Sequence, residues 1–184
     1  MTDFLLRDME VSDLKLVWKW RNREEIRKNM YNDQPIPWLD HVDWFDREKK
    51  NPLSYTKLFL GEGRPLGVVR FTDIDLEHHT CYWGFYIGEK DTPKGSGTMM
   101  GRLALDFIFS EVDVRKVCAE VLGFNKISVR FHEKLGFLEE GRLKEQIRRG
   151  DDFIDVIPMG LFYNRWKMIR KALGGMDNGH QGAK

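Results

Sequence analysis

Two stretches of this chain combine residue types that chemistry can use. The first is Thr92-Pro93-Lys94-Gly95-Ser96-Gly97-Thr98, a glycine-spaced run joining an expected strand to an expected helix. Backbone N–H groups at a helix start, helped by the positive end of its dipole, form an anion site. Glycine matters there because a Cβ would hold a phosphate away from the backbone, and Lys94 adds a movable positive charge. A flexible turn is the plainer reading of any lone Gly-x-Gly. Two phosphate loops are excluded. No Lys-Ser or Lys-Thr follows the last glycine, and the third glycine of a dinucleotide fingerprint is replaced by Met100. The second stretch is Val117-Cys118-Ala119-Glu120-Val121-Leu122, an apolar strand interrupted by one carboxylate. Alternation sets Glu120 on the face of Cys118 and Leu122. Partial burial there would raise its proton affinity and let it take an amine's proton through water. An ion pair with a Lys or Arg explains it equally well.

The bulk properties narrow the partners. With 30 Lys and Arg against 29 Asp and Glu, the net charge of +1 offers no global field for nucleic acid or an anionic membrane. The 184 residues, 41% of them hydrophobic and 12% aromatic, suit one compact core. Cys81 and Cys118 lie in apolar runs and read as reduced core residues, not as a disulfide, a metal pair or a nucleophile. His78-His79 has no metal-spaced Cys or acidic neighbours and reads as exposed loop, so no metal is expected. The amino-terminal residues lack a signal-peptide pattern and no apolar run reaches a membrane span, so a reducing cytoplasm is the expected setting.

The elements that must position these residues follow from periodicity and punctuation. Phe4 to Arg7 reads as a strand, and Ser12 caps a helix running to about Asn29. Gln34-Pro35-Ile36-Pro37 breaks the chain before a second helix, Trp38 to Lys49. Tyr55–Leu60, Leu66–Asp75 and Thr80–Ile87 form an antiparallel meander by their short connections. A helix from Gly97 to Ser110, a buried strand from Val117 to Leu122 and a short helix from Ile127 to Leu135 come next. Phe137 to Phe162 reads as a closing hairpin turning at Gly150-Asp151-Asp152. One domain over residues 1–173 and a disordered tail over 174–184 are expected. The order is α+β.

At this point the residues resemble the GNAT acetyltransferase superfamily. Gly95 and Gly97 match its pyrophosphate loop, with Thr92 standing where relatives carry Gln or Arg. Asn125-x-x-Ser128-x-x-Phe131-His132-Glu133-Lys134-Leu135-Gly136-Phe137 is similar to the longer family segment that follows. Glu139-Glu140-Gly141-Arg142 and Phe153-Ile154-Asp155-Val156 resemble the branch that includes ribosomal-protein N-acetyltransferases. In the amino-terminal third, Trp18-Lys19-Trp20-Arg21-Asn22, Met30-Tyr31 and Asp40-His41-Val42-Asp43-Trp44-Phe45 look like the sugar-nucleotide acetyltransferases of pseudaminic acid biosynthesis. That group acetylates the 4-amino group of UDP-4-amino-4,6-dideoxy-N-acetyl-β-L-altrosamine, on the route to a sugar that decorates flagellin.

The resemblance implies a GNAT fold: a mixed, mostly antiparallel twisted sheet flanked by helices, binding acetyl-CoA. Phe85, Tyr86 and Ile87 would meet its pantetheine amides. Lys94, Gly95, Ser96, Gly97, Thr98 and Met99 would hold its pyrophosphate, and Asn125 and Ser128 would touch the CoA arm. His132 stands where many relatives carry the Tyr that protonates the departing thiolate, a task open to an imidazolium. With Glu120 as base, it completes the expected catalytic pair. Arg21, Tyr31 and His41 would take the nucleotide, the arginine by gripping phosphate and the rings by stacking on uracil. A homodimer is allowed and nothing requires one. The rival readings are a ribosomal-type N-terminal acetyltransferase, which needs an open peptide groove, and a non-catalytic acyl-CoA-binding module. A polyamine acceptor would call for an acidic cleft.

Overall fold

The computed structural model describes residues 3–174. Its strands are β1 (Phe4–Asp8), β2 (Tyr55–Gly61), β3 (Arg64–Asp75), β4 (Thr80–Ile87), β5 (Lys116–Leu122), β6 (Leu138–Glu139), β7 (Leu143–Arg149) and β8 (Asp152–Phe162). The helices are α1 (Leu14–Arg21), α2 (Glu24–Arg27), α3 (Trp38–Glu48), α4 (Ser96–Glu111), α5 (Lys126–Lys134) and α6 (Tyr163–Gly174). The strands form one sheet in the order β1-β2-β3-β4-β5-β8-β6, with β7 also on β8. Every pairing is antiparallel except β4 with β5.

Strand alternation divides the core between the two faces. Phe59, Val69 and Phe71 point toward Ala104, Leu105 and Ile108 of α4 and toward Trp166 of α6. Their neighbours Leu58 and Val68 point the other way, against Val17 and Trp20 of α1 and Phe45 of α3. Most of the expected elements occur within a residue or two of their bounds, and the closing hairpin turns at Gly150.

The long first helix is the main correction. Residues 11–27 form a 3-10 turn, α1 and then α2, with an interruption at Asn22 and Arg23. Asparagine is a weak helix former whose amide competes with the backbone for hydrogen bonds. The Asn22 amide is spent on a distant segment: Oδ1 accepts from Ile36 N at 2.6 Å and Nδ2 donates to Ile36 O at 3.0 Å. The chain after α2 is thereby drawn across the face of α1. A sixth helix, α6, lies beyond the expected elements; it is anchored by the buried Trp166, whose Nε1 donates to Asp106 at 3.0 Å. The tail expected from Gly174 onward lies outside the described residues, apart from Gly174 itself.

The sheet opens along part of one strand pair. The parallel pairing of β4 and β5 covers only Thr80–Tyr82 against Lys116–Cys118. Beyond Tyr82 and Cys118 the two strands separate, and the β4 edge from Trp83 to Ile87 has no strand beside it. Gly88 N and Glu89 N both donate to Leu66 O, at 2.8 and 3.0 Å, so the end of β4 stays fastened to β3. Among the described residues no helix is long and apolar enough to cross a membrane.

Candidate active site

The opening between β4 and β5 is a cleft of about 430 Å³. A second cavity of about 580 Å³ lies on the α1–α3 face of the sheet. Both volumes fall in the range of small-molecule sites. Met30, Gly84, Phe85 and Tyr86 line both, so the two spaces meet across the middle of β4.

Phe85, Tyr86 and Ile87 line the first cleft along the open strand edge. At one end stands the start of α4. Gly95 caps it in the left-handed region, φ 90°, a conformation that favours glycine. Ser96 is buried and its hydroxyl donates to Pro93 O at 2.7 Å, so that group is already taken. Thr98 Oγ1 accepts from Lys134 at 2.8 Å, Lys94 is exposed, and Met99 packs partly against the core. Of the expected loop residues, Gly97 is the one that reaches the cleft. The N–H groups of Gly97 and Thr98 belong to the first helical turn, where no carbonyl four residues back lies within the helix.

The Asn-x-x-Ser spacing proves to be a helix cap. Asn125 Oδ1 accepts from Ser128 N at 3.1 Å and starts α5; both residues line the cleft, and Ser128 Oγ lies 3.4 Å from His132 Nδ1. One turn on, His132 is buried among rings. Trp83 stands edge-on at 5.6 Å, Phe137 at 5.0 Å, and Phe85 lies at 5.4 Å. Its Nδ1 is 2.7 Å from Ser128 O, which requires the proton on Nδ1 and leaves Nε2 as an acceptor. Burial pulls the imidazole pKa down to about 4, against a smaller upward push from the Ser128 bond. The ring is therefore neutral at pH 7, not partly charged as an ordinary histidine would be. Trp83 Nε1, also buried, has no hydrogen-bond partner.

Glu120 is exposed on β5, not partly buried as expected, and it lines the same cleft. Its carboxylate accepts a hydrogen bond from the Tyr31 hydroxyl, 89 residues away. Burial first, and then the bond to Glu120, push that phenol well above its ordinary pKa. Two candidates assigned to different tasks thus touch at the boundary between the cavities.

Arg21 and Arg70 line the second cavity, and none of the described residues on its wall is acidic. Arg21 Nη2 donates to Asn32 O at 2.9 Å, while its Nη1 is buried with no partner. Burial lowers the Arg21 pKa, the neighbouring Tyr86 opposes that, and Arg27 adds to it. Arg70 is held bidentately by Glu48 at 2.9 and 2.6 Å and lies over the Trp44 ring. His41 is only 3% exposed, with Trp44 at 5.1 Å and Trp38 at 6.2 Å. That leaves too little free ring to stack on a base, so its expected role is corrected to lining the cavity. The expected site omits Arg70, Met30, Gly84 and Trp44, all of which line this cavity. Alternation on β3 and β4 sets Arg70 with Val68 and Gly84 with Tyr86 on the α1–α3 face, a periodic signal that could have found them. Among the described residues no group of three or more His, Cys, Asp or Glu is placed to hold a metal ion.

Residues 3–138 match the family model described as an acetyltransferase (GNAT) domain. Spermidine N(1)-acetyltransferase of Escherichia coli strain K12 is 22% identical over 169 residues, covering 92% of this chain and 91% of its own. A putative ribosomal N-acetyltransferase, YdaF of Bacillus subtilis, is 23% identical over 108 residues, 59% of each chain. Among solved structures, spermidine N-acetyltransferase from Vibrio cholerae in complex with CoA and spermine superposes with a TM-score of 0.83. That match has 20% identity and covers 89% of this chain and 98% of the other.

Proposed function

The chain belongs to the GNAT N-acetyltransferase family, and from that premise we propose that it acetylates the amino group of a small, phosphate-bearing acceptor, a UDP-linked amino-deoxy sugar such as that of the pseudaminic acid pathway. The observation that carries the acceptor class is Arg21, which lines the second cavity beside the Glu48-held Arg70 and keeps a buried Nη1 without a partner. Leaving such a donor unmade is costly, and a phosphate oxygen is the partner a guanidinium fork matches best. A polyamine would meet Arg21 as a like charge, Arg70 being already paired with Glu48.

Acetyl-CoA fits the other cleft. The unpaired edge at Phe85–Ile87 offers backbone groups to its amides, and the N–H groups of Gly97 and Thr98 suit its pyrophosphate. Its thioester supplies the activated acetyl group. The residues of this chain divide the proton traffic. Glu120, kept in place by Tyr31, receives the first proton of the acceptor ammonium through water. As the new C–N bond forms, neutral His132 takes the second proton on Nε2 and passes it to sulfur as the C–S bond breaks. The ring ends neutral, and the released thiol carries the proton.

A polyamine acceptor is the second reading, favoured by spermidine acetyltransferases that match nine-tenths of the chain. An acceptor screen that follows free thiol separates the two. A UDP-4-amino-6-deoxy sugar is expected to exceed spermidine in kcat/KM by about a hundredfold, the cost of setting a polycation against a like charge. Preference for spermidine or for a ribosomal amino-terminal peptide would overturn the acceptor class while leaving the family intact.

Gly84 tests where the acetyl group crosses. A Cβ added there meets nothing within 4 Å, so Gly84→Val should fold with unchanged or higher Tm in a strand that suits branched residues. Its side chain would stand between the cavities, and kcat is expected to fall by about tenfold through misplacement of the acceptor. Unchanged turnover would put the crossing point elsewhere.

A further inference from the structure

The segment over residues 28–33, between α2 and α3, forms the wall shared by the two cavities. Asn29 lines the first, Met30 lines both, Asn32 lines the second, and Tyr31 reaches Glu120. Several of its carbonyls are satisfied by arginine side chains, not by backbone. Arg21 of α1 takes Asn32 O at 2.9 Å and Arg27 of α2 takes Asp33 O at 2.6 Å. Two more contacts come from a residue 121 and 119 positions further along the chain. At the tip of the β7–β8 hairpin, Arg149 Nη1 donates to Lys28 O at 2.5 Å and Nη2 donates to Met30 O. Its Nε lies 3.4 Å from Asp33 Oδ2, its guanidinium is 5.8 Å from the centre of the Phe124 ring, and its side chain is only 16% exposed.

We propose that Arg149 is a positioning residue for the acceptor site, fixing the backbone of residues 28–33 so that Met30 separates the cavities and Tyr31 meets Glu120. A guanidinium suits this task because one rigid fork satisfies two carbonyls and a carboxylate together, which an ammonium cannot. The bonds go to backbone oxygens, so the hold does not depend on which side chains the segment carries. Arg149 acts on the reaction through Tyr31 and Met30; its own bonds are to residues 28, 30 and 33.

Hydrogen exchange of residues 28–33 in the full chain with acetyl-CoA present tests the hold directly, since local opening sets the exchange rate. Arg149→Ala is expected to speed exchange there, and Arg149→Lys, which keeps one donor group, to give an intermediate rate. The kinetic arm rests on the acceptor reading above. KM for the phosphate-bearing acceptor should rise by about tenfold in Arg149→Ala, the scale of a lost hydrogen bond to a charged group, with the affinity for acetyl-CoA little changed. Adding Tyr31→Phe to Arg149→Ala should cost little more, because a residue acting through Tyr31 cannot be additive with it. Unaltered exchange of this segment in a folded Arg149→Ala protein would overturn the proposal. So would full additivity of the two substitutions, or a lowered Tm in both Arg149 variants with the acceptor KM retained. If the wild type turns over no phosphate-bearing acceptor, the acceptor reading fails while the exchange result still decides the role of Arg149.

Discussion

Arg21→Ala is expected to raise the acceptor KM by about a hundredfold, leave kcat within a few fold, and change acetyl-CoA affinity by less than about threefold. The effect falls on KM because a phosphate held by Arg21 is bound equally in the ground and transition states. The magnitude is that of removing a charge-assisted contact made by Arg21 Nη1 from a partly desolvated site. Arg21→Lys should recover little, since an ammonium keeps the charge without the fork. Part of the loss comes from releasing Asn32 O, which Arg21 Nη2 holds. Inhibition by UDP isolates the rest: UDP should compete with the acceptor in the wild type and bind far more weakly to Arg21→Ala. The polyamine reading makes the opposite prediction. Removing a cation from a spermidine site would lower the KM for spermidine. An unchanged or improved KM for the phosphate-bearing acceptor would therefore remove Arg21 from the site.

The parts of this molecule that could be read from its sequence are those whose cause is local. The meander, α4 and α5 follow from spacing, and the Asn125–Ser128 cap and the Gly95 turn are written in neighbouring residues. What escaped depends on partners far along the chain. Asn22 ends α1 because Ile36 needs its amide, and Arg149 matters because residues 28 and 30 need its fork. Neither dependence leaves a periodic trace. Glu120 shows the same limit: alternation gave its face, but only the contact with Tyr31 across 89 residues sets its surroundings. For His132 the motif located the residue, whereas the rings of Trp83, Phe85 and Phe137 around it decide its protonation.

That protonation fixes the sign of the last expected result. His132→Phe should lower kcat by about a hundredfold, the usual scale for losing a proton-transfer group, while acetyl-CoA affinity changes little. The ring sits in an aromatic surround, so phenylalanine is expected to pack there without unfolding the protein. A resting imidazolium donor would lose rate as pH rises past its ordinary value of about 6.5. Burial moves the pKa of His132 to about 4 and fixes its Nδ1 proton on Ser128 O, so the working form is the neutral ring with a free Nε2. The His132-dependent limb of the kcat profile should then lie on the acid side. Rate is lost as pH falls toward about 4, where Nε2 is already protonated, and is held through neutral pH and above. His132→Tyr would replace a relay by a donor. It should restore part of the rate and introduce a loss at high pH, as a phenol with an ordinary pKa of about 10 gives up its proton. Profiles of kcat at saturating acceptor for the three proteins decide the matter. Equal turnover in wild type and His132→Phe would leave proton delivery to water. A wild-type rate falling between pH ~6 and ~7.5 as pH rises, with acceptor saturated, would restore the imidazolium donor and contradict the buried neutral ring.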